Sequence, residues 1–97
     1  MPNVRVIVLF RKERPHEEDV VKQIVNIVKT ASEMSNTAIE IEATTDFHQF
    51  EDIALDISKT PILLINEMVE FTQKAPPVDL VRQRLVACAG SKTQSGF

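Results

Sequence analysis

The chain has 97 residues, 43% of them apolar and 26% charged, with a formal net charge of −3, which suits one domain around one packed core. No basic stripe stands ready to neutralise phosphates, and apolar runs of about five residues fall far short of the roughly 20 that span a bilayer; neither nucleic acid nor a membrane is an expected partner. A single cysteine, Cys88, leaves no internal disulfide, and MPNVRVIVLFRKE reaches charge too early for a signal peptide, so a reducing cytoplasm is the expected compartment.

Val4, Ile7 and their neighbours form a run in which only Arg5 is polar. A β-branched run buried on both faces marks a central strand of an α/β protein. After a polar stretch, Pro15 precedes Glu17, Glu18 and Asp19, a combination that favours a helix start. Val20, Ile24, Ile27, Val28 and Ala31 then recur at helical spacing, widened by Val21 and Val25, which predicts an amphipathic helix ending near Ser35-Asn36. Ile39, Ile41 and Ala43 alternate with Glu40 and Glu42, the pattern of an edge strand. Thr45 and Asp46 can cap a second, short helix over HQFEDIALDIS, with Phe50, Ile53, Ala54 and Ile57 on its apolar side.

PILLI follows, then Asn66-Glu67, then Met68 to Phe71, which predicts a hairpin. Asn tolerates the left-handed conformation a two-residue turn needs, whereas Glu is a poor substitute for the usual Gly. Pro76-Pro77 opens a last helix with Val78, Val81, Leu85 and Cys88 on one face, and Gly90 is its expected stop. The domain is thus expected to span 1–90, with 91–97 a disordered tail. The predicted fold class is α/β: a four-stranded mixed sheet with helices on both faces, in the order β-α-β-α-β-β-α.

Thr60-Pro61 heads the most apolar run in the chain. A proline lacks the N–H a central strand needs, unless it stands at the strand's first position. Thr-Pro in this element order, followed by a hairpin and a last helix, resembles the thioredoxin fold. The resemblance runs from Val4 to about Ala87 and is greatest to the small thioredoxin-like and glutaredoxin-like proteins. It implies a cis bond at Thr60-Pro61, with the preceding backbone group presented to a bound partner. It also implies a groove lined by Arg14, Pro15, His16, Thr60 and Pro61.

The family's redox chemistry rests on Cys-x-x-Cys at the start of the first helix, where the helix terminus favours the thiolate. Here the corresponding segment is Arg14-Pro15-His16-Glu17, and no cysteine precedes Cys88. Dithiol exchange at that position is therefore not expected. The glycine typical of the family after the fourth strand is also missing, the segment reading Thr72-Gln73-Lys74-Ala75.

Two function classes follow. One is a redox-inactive thioredoxin-fold binding or adaptor module, taking a protein or peptide partner by strand addition, with no cofactor and no catalytic residue. The other is a superfamily enzyme, an oxidoreductase or transferase, using a recruited group such as Cys88 or His16. Cys88 reads first as a small buried hydrophobe. His16 and His48 lack metal-ligand spacing, and acidic residues at a helix start already have a capping explanation, so no metal is expected. Arg11, Lys12 and Arg14 form a small basic cluster that could hold a carboxylate or phosphate. Phe47 and Met68, at element ends, are the candidate contacts of a weak homodimer or partner interface.

Overall fold

A computed structural model describes residues 4–50, 52, 53 and 55–94. Four strands form one sheet: β1 (Val4–Leu9), β2 (Ile39–Thr44), β3 (Ile62–Ile65) and β4 (Met68–Thr72). Their spatial order is β2-β1-β3-β4. The β1–β2 pair is parallel, Val4 facing Ile39 and Leu9 facing Thr44. The β1–β3 and β3–β4 pairs are antiparallel, so the sheet is mixed. Every residue of β1 except Arg5 is buried, as is all of β3. This is what β-branched and leucine-rich runs predict for strands covered on both faces. β2 alternates because it is an edge: Glu40 and Glu42 are exposed.

Two α-helices accompany the sheet, α1 (Glu17–Ser35) and α2 (Val78–Gln94). α1 buries Val21, Ile24, Val28 and Ala31, a stripe at helical spacing. It stops where predicted: Asn36 is left-handed at φ 52°, and the N–H groups of Asn36 and Thr37 donate to Glu33 and Ser32 carbonyls. α2 buries Val81 and Leu85 in the same cluster as the α1 stripe, Val4, Val6 and Val8. Both helices therefore cover one face of the sheet, not both.

The opposite face carries the main departure from the sequence reading. The predicted second α-helix does not form. Two short 3-10 turns, Phe47–Phe50 and Ile57–Lys59, take its place. Phe50, with Phe47, Ile53 and Leu55 beside it, seals Ile7, Leu9, Ile62 and Leu64. Ile57 is 52% exposed and off the predicted stripe, while Ala54 lies outside the described residues. Asp46 accepts from the His48 N–H and Asp56 from the Ser58 N–H. Such local side-chain bonds offer the backbone an alternative to a continuous helix.

Gly90 does not stop the last helix either, since α2 continues to Gln94. Part of the expected tail is thus helical, and residues 95–97 lie outside the described residues. Pro61 precedes β3 rather than standing inside it, so its missing N–H costs the ladder nothing.

Candidate functional site

The candidate residues meet where β1 ends and β3 begins. Leu9 pairs with Ile62 and Ile62 with Thr72, which brings the β1–α1 turn, Thr60-Pro61 and the chain after β4 to one end of the sheet. The Thr60–Pro61 peptide bond is cis. The Pro61 carbonyl accepts from the Gln73 N–H at 2.8 Å. Gln73 makes the bend at φ 70°, where the sequence supplies no glycine. That hydrogen bond holds the left-handed residue in place.

The residue that joins the parts is Glu17, which sequence reasoning treats as one of three capping carboxylates. It is only 3% exposed. The Thr60 hydroxyl donates to its Oε2 at 2.9 Å, and the Arg11 N–H donates to its Oε1 at 3.2 Å. Arg14 Nη1 stands 3.6 Å from Oε2. One buried carboxylate thus ties the turn after β1 to the residue before Pro61. A buried charge is tolerated when it is paired and hydrogen-bonded in this way. No spacing rule could show this, because the two side chains are 43 positions apart in the chain. The available signal came from the resemblance alone, in which Glu17 closes the segment Arg14-Pro15-His16-Glu17.

Thr60 is buried, at 5% exposure, and its side chain is committed to Glu17. Its backbone N–H closes the 3-10 turn Ile57–Lys59, whereas its C=O has no hydrogen-bond partner among the described residues. An unpaired carbonyl on a buried residue is uncommon in folded chains. Pro15 and His16 are exposed at the mouth of α1, His16 forming the N-cap without a side-chain cap bond. Arg14 is half-exposed, so the structure gathers Arg14 and Thr60 around Glu17 and leaves Pro15 and His16 at the rim.

Cys88 is on α2, half-buried against the helix-side core. Burial first, then the nearby Glu70 carboxylate, pushes its thiol above the ordinary cysteine range, with Arg84 opposing. That environment disfavours the thiolate a nucleophile needs. Among the described residues no three His, Cys, Asp or Glu side chains gather as a metal set. A cavity of about 140 Å³ lies at the other end of the sheet, lined by Arg5, Gln49, Phe50, Asp52, Ile53 and Glu67. Phe47 packs partly against the core on the 3-10 side, whereas Met68 is 65% exposed at the start of β4. No protein-family model, curated protein or solved structure matches the chain.

Proposed function

We propose that this chain is a redox-inactive binding module of the thioredoxin type that takes an extended peptide beside Thr60. The observation that carries the reading is the state of Thr60: hydroxyl held by Glu17, N–H closing the 3-10 turn, and backbone C=O unpaired among the described residues. A peptide running past it in extended form would supply the donor that this carbonyl lacks, as in strand addition. Glu17 stands where the resemblance would put the second thiol. It cannot exchange disulfides, but it anchors the turn that flanks Thr60. The site would therefore bind and release without chemistry. The enzymatic alternative through Cys88 is weakened by a thiol whose burial favours the protonated form.

The test is an amide-detected NMR titration with extended peptides. The Thr60 amide signal is expected to shift as the residue's carbonyl gains a donor, with smaller changes at Arg14 and His16. Saturable binding that leaves Thr60 unmoved would overturn the reading.

A further inference from the structure

The chain is acidic overall, yet its positive charge is unevenly placed. Arg11, Lys12, Arg14, Lys59 and Lys74 are five of its eleven Lys and Arg residues, and all five fall on the turns at the Thr60 end of the sheet. Lys59 immediately precedes Thr60, and Lys74 follows the residue whose N–H holds the Pro61 carbonyl. Lys12, Lys59 and Lys74 are exposed and make no ion pair among the described residues.

The neighbouring acids are already occupied. Glu13 accepts from Arg11 Nε at 2.7 Å, and Glu17 is buried. Asp46 and Asp56 accept backbone N–H groups of their own turns. Glu18 and Asp19 belong to the first turn of α1, where carboxylates offset the helix dipole. Arg14 stands beyond hydrogen-bond range of Glu17, so its guanidinium keeps donors to spare.

We propose that the segment bound at Thr60 is an acidic stretch of another protein, its carboxylates held by Lys12 and Arg14 on one side and Lys59 and Lys74 on the other. The inference rests on the peptide-binding reading and adds the partner's chemistry. An extended strand turns alternate side chains to opposite sides, so acidic residues could reach both flanks while the backbone pairs with Thr60. Exposed charge pairs contribute modestly each, and they set partner choice and encounter rate more than raw affinity.

The experiment titrates the isotope-labelled full chain with three short capped peptides: alternating Glu and Ser, Gln and Ser, and Lys and Ser. The acidic peptide is expected to move the Thr60 amide and to bind about tenfold tighter than the Gln peptide, the gap closing in high salt. A Lys59→Glu/Lys74→Glu variant, altered only at exposed positions, is expected to lose that preference. Equal binding of the Gln peptide, with the same Thr60 shift, overturns the acidic preference and leaves the peptide reading standing. An acidic peptide that binds without moving Thr60 overturns both, as does a set of peptides none of which moves it.

Discussion

Glu17 reaches three points of the chain at once, and each contact has a different replacement cost. Loss of its carboxylate strands the Thr60 hydroxyl in a buried place and the Arg11 N–H in a partly buried one. Glu17→Ala is expected to destabilise the fold by about 1–3 kcal/mol, the range for an unsatisfied buried partner. Thr60→Val keeps the shape and removes only the donor. The coupling in the double-mutant cycle, read from urea denaturation, should be about 1.5–3 kcal/mol, as for hydrogen bonds to charged groups. Additive single effects would mean that the Thr60–Glu17 bond contributes nothing in solution. Cys88 gives a second residue-scale outcome. Its thiol is raised by burial and then by Glu70, so the folded state holds the proton to higher pH than a free cysteine does. Alkylation should be slow at neutral pH and inflect at higher pH than in a short peptide, with unfolding abolishing the difference. Glu70→Gln should move the inflection down. Fast labelling of the native chain at neutral pH would reverse the assignment and reopen a thiol mechanism.

Two left-handed corners carry the element-scale argument. Asn66 and Glu67 turn the β3–β4 hairpin at φ 50° and 68°. The Asn66 Oδ1 accepts from the Arg5 N–H at 2.9 Å, and the Asn66 N–H donates to the Arg5 carbonyl at 2.8 Å. Among the described residues Glu67 makes no comparable contact, and it bears the penalty of a Cβ in this region, about 1–2 kcal/mol. Glu67→Gly should therefore stabilise the domain by about 0.5 kcal/mol after the extra entropy of an unfolded glycine is subtracted. Gln73→Gly is expected to act in the same direction, and a lower urea midpoint for both would refute the account. The hairpin was legible because Asn66 interrupts two apolar runs. β1, α1 and β2 were legible because their apolar periods match their burial. The 3-10 segment was not, because Asp46 and Asp56 bond to nearby backbone, and HQFEDIALDIS alone does not show which bonds win. Gly90 misled in the same way, since its helix penalty of about 1 kcal/mol is small enough for context to override. Pro15 and Thr60-Pro61 pointed to the end of the sheet where the candidate site lies. Its buried centre was not, because Glu17 at a helix start is explained by capping alone.

At the scale of the whole molecule, an open sheet must guard two edges. β2 does so with charge. Glu40 and Glu42 are exposed along it, and a second copy pairing there would set like charges against one another. β4 does so with geometry. The register shifts between Leu63 and Leu64, leaving Glu70 as the extra residue of a bulge between Val69 and Phe71, and a bulge twists an edge away from flat pairing. Glu70 is also drawn to Arg84 on α2 at 3.3 Å. The expected homodimer patch is divided as well: Phe47 is partly spent on packing, which leaves Met68 and Val69 as the exposed apolar strip on β4. Association should therefore be governed by the charged edge. The parent chain is expected to sediment as a monomer across the accessible concentration range, and Met68→Lys should leave it so. Glu40→Val/Glu42→Val removes the repulsion and raises the strand propensity of an unpaired edge. That variant should associate with increasing concentration while keeping its urea midpoint at low concentration. A parent chain that already dimerises, and becomes monomeric only on Met68→Lys, would place self-association on β4 and show that the bulge does not protect it.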